Sequence, residues 1–309
     1  MKLATTTSDF LHFCDNDPDR VTEVARAGFK HIDLNLYDGI CPEWIYFSEG
    51  WKDEVARLRE RADAFGADFV QAHSPGGNPL DFGEKYELLV RSTIRSIEIC
   101  AELGIKNTVF HTGYSDAFGY TPEGKRGYFE ENMKFIRRLL PTAERCGVTL
   151  LIENSTRANM KDKYFFLTGE DMAEFIEFAS HPLIGACWDT GHANVEGHQY
   201  GDLVALGDKL RGLHVNDNRS KRDEHMMPYM GSLSVDELMC GLIDSGYKGY
   251  FTFESSSTLI PPRYWLSKRH TFERDTRCLR PTLEMARLTE RLMYEIGKHI
   301  LSQYNCFEE

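Results

Sequence analysis

Short apolar runs alternate along the chain with longer stretches in which apolar residues recur every three or four positions. The first pattern reads as strand and the second as amphipathic helix. KLATTTS (2–8), HIDLNL (31–36), DFVQAHS (68–74), NTVFHTG (107–113), TLLIEN (149–154), IGACWDT (184–190), LRGLHVN (210–216) and GYFTFES (249–255) predict eight strands. Between them, residues 86–103 place Val90, Ile94, Ile97 and Ala101 on one helix face, and Gly104 closes that helix. Other helices announce their starts: Asp17 before Pro18, Thr121 before Pro122, and capping boxes at 168–171 and 234–237. Helices near 51–65, 202–206 and 283–301 complete the set, and Pro141 predicts a kink or break in the last turns of the helix that Thr121 opens.

Strict strand and helix alternation requires crossover helices between parallel strands. The economical solution is an α/β fold of the (β/α)8 barrel type, read as a single domain over 1–309. It carries a long loop at 255–281 after strand eight and a C-terminal helical segment at 282–309. A doubly wound open sheet is the alternative. No GxGxxG or GxxxxGK[ST] follows an early strand, which removes its usual nucleotide-binding version.

With 41% hydrophobic residues the chain can fill such a core, and no run approaches the roughly 18 apolar residues of a membrane span, so no membrane partner is expected. The start MKLATTTSDF lacks a secretory pattern. The eight cysteines are scattered without a CxxC pair. Reduced thiols and a cytoplasmic location are the expectation. A net charge of −12 opposes phosphate backbones, so nucleic acid is not an expected partner.

Four apolar runs end on residues that bind hard cations: Glu153, Asp189, His214 and Glu254, at intervals of 36, 25 and 40 residues. In a barrel these strand ends meet at one rim. Up to three negative charges brought together there repel one another unless a cation sits among them. Three oxygens and one imidazole suit one divalent cation, Mn²⁺ first, with Zn²⁺, Mg²⁺ or Co²⁺ as alternatives; the lack of thiolates argues against a purely structural zinc. His73 and His111 end strands three and four, and His192 follows Asp189 in WDTGHAN. The run Asp223-Glu-His225 either returns to this rim or forms a solvated loop.

The segments GFKHIDLNL, QAHSPG, VFHTG, LLIEN, CWDTGHAN, LHVNDN and GYFTFES resemble the sugar phosphate isomerase/epimerase family of the xylose isomerase-like TIM barrels, over nearly the whole length. That resemblance implies a metal held by Glu153, Asp189, His214 and Glu254, with Glu153 and Glu254 flanking the sugar carbon that loses and regains a proton. It implies substrate contacts from His73, His111 and His192; Asp223, His225 and Trp265 are further expected contacts, read from their places in the loops after strands seven and eight. The implied activity is metal-dependent isomerisation or epimerisation of a sugar or sugar phosphate, a small carbohydrate. It works by proton abstraction beside a carbonyl, through an enediolate that the metal stabilises.

One departure stands out: ketohexose 3-epimerases are similar but have a glutamate where this chain has Asn159. Lyases and dehydratases, some acting on oxidised C-glycosides, share the first chemical step. A non-catalytic sugar-binding subunit is a further reading. Endonuclease IV, of the same superfamily, uses three zinc ions on nine residues. The chain has a matching type at each: His73, His111, Glu153, Asp189, His192, His214, Asp223, His225 and Glu254. Tyr264 and Trp265 suit stacking on a sugar and equally an oligomer contact, leaving a homo-oligomer open. The cluster Cys41, Pro42, Trp44, Tyr46 and Phe47 either walls the pocket or packs on a neighbouring loop.

Overall fold

The computed structural model describes residues 1–81, 83–197, 199–259 and 281–309. Eight strands form where the alternation predicts them: β1 (Lys2–Thr6), β2 (His31–Asn35), β3 (Asp68–His73), β4 (Asn107–Phe110), β5 (Thr149–Glu153), β6 (Ile184–Asp189), β7 (Leu210–His214) and β8 (Tyr250–Phe253). All neighbours pair in parallel, in the order β7-β6-β5-β4-β3-β2-β1-β8. The ring closes just past β7, where Val215 bridges Phe253. There Val215 N–H donates to Thr252 O at 2.7 Å and Glu254 N–H to Val215 O at 3.0 Å. The closing seam thus sets His214 and Glu254 on adjacent strands. The fold is the expected TIM barrel, and its strands are buried because helices cover them on the outside.

The helices are α1 (Asp17–Ala27), α2 (Trp51–Asp63), α3 (Glu84–Leu103), α4 (Pro122–Cys146), α5 (Arg157–Met160), α6 (Gly169–Ala179), α7 (Thr190–Glu196), α8 (Tyr200–Leu206), α9 (Val235–Asp244) and α10 (Leu283–Gln303). Thr121, Thr168 and Ser234 cap their helices as expected, each accepting a backbone N–H. Several details differ. The cap of α1 is Asn16, whose Oδ1 accepts Asp19 N–H at 2.9 Å, so Asp17 is already inside the helix. Pro141 does not break α4, which runs for 25 residues. Proline removes one donor there, while Leu139, Thr142 and Ala143 around it stay buried and hold the last turns in place. The strands are also shorter than their apolar runs. His111 and Glu254 therefore sit one residue beyond β4 and β8 rather than on them.

The C-terminal helix α10 returns to the start of the barrel through two carboxyl groups. Asp9, in a 3-10 turn after β1, bonds Thr5 Oγ1 at 2.9 Å; its Oδ1 and Glu290 Oε1 of α10 are buried without a donor. Burial, and next the charge of Glu254, push the Asp9 carboxyl up to about 7; burial, with Asp9 beside it, pushes Glu290 well above its ordinary value. An acid whose folded pKa is raised costs stability once pH exceeds its unfolded pKa, and the loss accrues until the folded pKa is passed. Thermal unfolding of the parent should therefore fall in Tm between pH 4 and 8. Glu290→Gln should flatten that fall and raise Tm at pH 8. A variant curve that keeps the parent slope would rule out the pair as its source.

Candidate metal and active site

Ends of β5, β6 and β7 place Glu153, Asp189 and His214 at one rim, and the residue after β8 adds Glu254. Glu153 is the hub. Its Oε1 lies 2.5 Å from His214 Nδ1 and its Oε2 2.8 Å from His111 Nε2, with His73 Nε2 at 3.7 Å. Glu254 Oε2 lies 3.5 Å from the same His214 Nδ1. Two carboxylates from different strands thus converge on one imidazole nitrogen. Asp189 also caps α7, with Oδ1 accepting His192 N–H at 2.6 Å and Oδ2 accepting from Asn216 Nδ2 at 2.7 Å. Gly191 makes room for this, since a Cβ there would fall 1.8 Å from Asn216 Oδ1.

The Asp223-Glu-His225 run returns to the rim. His192 Nε2 and His225 Nε2 both lie 3.0 Å from Asp223 Oδ2, which also accepts from Asn159 Nδ2 at 2.9 Å. His225 has a left-handed backbone, φ 44°, a conformation that costs of order 1–3 kcal/mol for such a residue. It turns the ring so that Nδ1 meets the Glu254 carbonyl at 3.1 Å. Asn159, the departure from ketohexose 3-epimerases, is therefore built into this cluster.

Most of these groups line a cavity of about 740 Å³, together with Asn35, Tyr37, Asn78, Tyr114, Ser155 and Met160. Tyr37 stands edge-on to His73 and His111, at 5.3 and 5.7 Å between ring centres. Its ring occupies the space a side chain on residue 76 would need, because a Cβ on Gly76 would fall 2.2 Å from Tyr37 Cζ. Trp44 and Tyr46 do not wall this cavity. They pack on one another at 5.1 Å and line a neighbouring cavity of about 330 Å³. Trp265 and Tyr264, like most of the 255–281 loop, lie outside the described residues.

Electrostatics separate the groups. Burial alone would raise the Glu153 carboxyl, but His214, His111 and His73 outweigh it and hold that group well below the usual range. Burial, with the charges of Glu153 and Asp223, pushes Asp189 up to about 6 despite His192. Burial works against charge on the histidines, yet Asp189 and Asp223 lift His192 to about 10, Glu153 lifts His73, and Asp223 lifts His225. Among the described residues the partners of Glu153, Asp223 and Glu254 in ion pairs are all histidines. Such a set accepts either protons or a cation.

Three ligand groups bring their atoms within 4.8 Å of one another: Glu153, Asp189, His214 and Glu254; His73, Glu153 and His214; and His192, Asp223 and His225. The first is the quartet expected from strand ends. Three nitrogen or oxygen ligands with open positions are what catalytic divalent sites present. His192 Nδ1 and Asp223 Oδ1 are buried without a hydrogen-bond partner, as an unfilled donor set would leave them. The residues fit a hard divalent cation.

Sequence reading missed Asp33 and Gln71, which lie inside the barrel on β2 and β3. Asp33 Oδ2 lies 3.2 Å from His214 Nε2 and accepts from Gln71 Nε2 at 3.1 Å. It also missed Asn154 and Asn216, which hold Asp189. Both asparagines lie within the quoted motifs, LLIEN and LHVNDN, so the signal was present.

Barrel, rim carboxylates and histidines together describe a xylose isomerase-like protein. The chain matches the xylose isomerase-like TIM barrel family over residues 21–281 and belongs to it. Uncharacterised proteins of Sinorhizobium fredii and Methanocaldococcus jannaschii are each 25% identical, over 58% and 83% of this chain. The matches span 55% and 84% of those proteins' own lengths. Fructoselysine 3-epimerase of Escherichia coli O157:H7 is 49% identical over 49 residues, 16% of this chain and 18% of that enzyme. Among solved structures, D-psicose 3-epimerase in the presence of D-fructose superposes with TM-score 0.73 at 18% identity, covering 97% of this chain and 99% of that one. IOLI protein with a bound zinc atom gives 0.74 at 17%, covering all of both chains. At these identities the structural likeness speaks for the fold.

Proposed function

We propose that the chain is a divalent-metal-dependent isomerase or epimerase of a small carbonyl sugar, free or phosphorylated. The observation that carries this reading is the convergence of Glu153 and Glu254 on His214 Nδ1 beneath a polar cavity. Glu153, Asp189, His214 and Glu254 would hold the cation. When bound, it would supply Lewis acidity to the carbonyl oxygen, making the neighbouring C–H acidic enough for a carboxylate to remove. Glu254 and Glu153 take and return the proton, one on each face for epimerisation. His111, His73 and His192 orient the hydroxyl groups, and Tyr37 closes the side wall over Gly76. The kinship with named epimerases supports the reaction class.

The test is solvent exchange: a ketose incubated with the enzyme in deuterium oxide should gain deuterium at the carbon beside the carbonyl. A sugar-binding subunit would leave the sugar unlabelled. Labelling with loss of water or of an aglycone would move the assignment to a lyase or dehydratase.

The His192, Asp223 and His225 group favours a second reading, in which several ions serve phosphodiester cleavage as in endonuclease IV. Elemental analysis decides between them. One ion per chain is expected; three zinc ions with cleavage of abasic DNA would overturn the isomerase reading.

A further inference from the structure

We propose that Asp33 is the positioning residue for His214, fixing which ring nitrogen faces the cation site. The proposal rests on the divalent-ion reading above. Asp33 lies within β2 and is fully buried, as is His214 across the barrel. His214 has a carboxylate at each nitrogen, Glu153 Oε1 at 2.5 Å from Nδ1 and Asp33 Oδ2 at 3.2 Å from Nε2. A neutral imidazole has only one N–H to give. If Nδ1 is to offer its lone pair to a cation that Glu153 shares, the proton must be on Nε2 and must be donated to Asp33.

Two further contacts narrow the ring's freedom. His73 stacks on His214 at 5.5 Å and 10°, which fixes the plane of the ring but not which edge faces Glu153. Gln71 Nε2 donates to Asp33 Oδ2 and lies 3.3 Å from the carbonyl of Leu213, the residue before His214. Asp33 is thereby tied to the strand whose ligand it orients. Its other oxygen, Oδ1, is buried without a partner. A buried, half-satisfied carboxylate is a poor choice for packing alone. Holding a ligand histidine in one tautomer accounts for its presence.

The experiment compares Asp33→Ala and Asp33→Asn with the parent. Mn²⁺ affinity is read by calorimetry at fixed pH, and ¹⁵N-edited spectra of histidine-labelled protein are recorded with and without Zn²⁺. Asp33→Ala should weaken Mn²⁺ binding about 10–100-fold. It should also abolish a downfield His214 Nε2 proton present in the parent in both metal states. Asp33→Asn, which keeps an acceptor oxygen, should fall between the two and serves where the alanine variant does not fold. A merely structural Asp33 predicts the opposite pattern, lowered Tm with Mn²⁺ affinity within twofold of the parent, and that result overturns the proposal. Absence of the Nε2 proton from the metal-free parent overturns it as well. A parent that binds no divalent ion while showing that proton would sink the metal reading and leave the His214 to Asp33 bond established.

Discussion

Glu254→Gln is expected to lower the rate of solvent-deuterium exchange into a bound ketose about a thousandfold, near the middle of the range for loss of a general base. That corresponds to about 4 kcal/mol of barrel-site barrier. The reason lies in how differently the two glutamates are held. Glu153 has a side chain 2% exposed, with both oxygens against histidine nitrogens, whereas Glu254 is 17% exposed and lines the cavity. Glu254 is thus the carboxylate with open access to a substrate carbon, while its backbone is pinned by the Val215 and His225 contacts. Glutamine preserves shape and those contacts but cannot accept the proton. Glu153→Gln should weaken the cation more than Glu254→Gln does, since Glu153 belongs to two of the ligand groups and Glu254 to one. Exchange by Glu254→Gln within tenfold of the parent would remove Glu254 from the acid/base role.

The rim position of Glu153, Asp189, His214 and Glu254 was legible because each member terminates a buried run, and a residue in that position of a parallel barrel has only the rim to occupy. Glu153, Asp189 and His214 close their strands, and Glu254 misses by one residue. The loop pair Asp223 and His225 was only half legible. Spacing cannot show that a left-handed turn at His225 folds the run back toward Glu254. Asp33 and Gln71 were hidden for another reason. Within HIDLN and DFVQAH they look like the polar half of an alternating strand, yet in a closed barrel that half points into the interior. Helix α7 was missed because it starts directly at Thr190 with Asp189 as its cap, so a residue read as a strand end is also a helix start.

Loading the metal-free protein with Mn²⁺ near pH 7 should release protons and raise Tm. Without an ion, charge balance at the rim falls to protons: His192 is raised to about 10, and His73, His214 and His225 lie above the ordinary imidazole value. Groups raised in this way stabilise the folded chain fully below their unfolded pKa, near 6.5, and that contribution fades as pH rises through the folded values. Metal-free protein should therefore lose stability between pH 6.5 and about 10, the window set by His192. A cation held by the quartet competes for the His214 lone pair, so its affinity should climb with pH and the loaded protein should show a smaller alkaline decline. At an ion concentration about a hundredfold above Kd the gain is roughly 2.7 kcal/mol, or about 5 °C in Tm for a chain of this size. Calorimetry in two buffers of different ionisation enthalpy measures the released protons, and scanning calorimetry the Tm. Binding without proton release would mean that the histidines stay charged beside the ion. The carboxylates alone would then be the ligands, and His214 would have to leave the quartet.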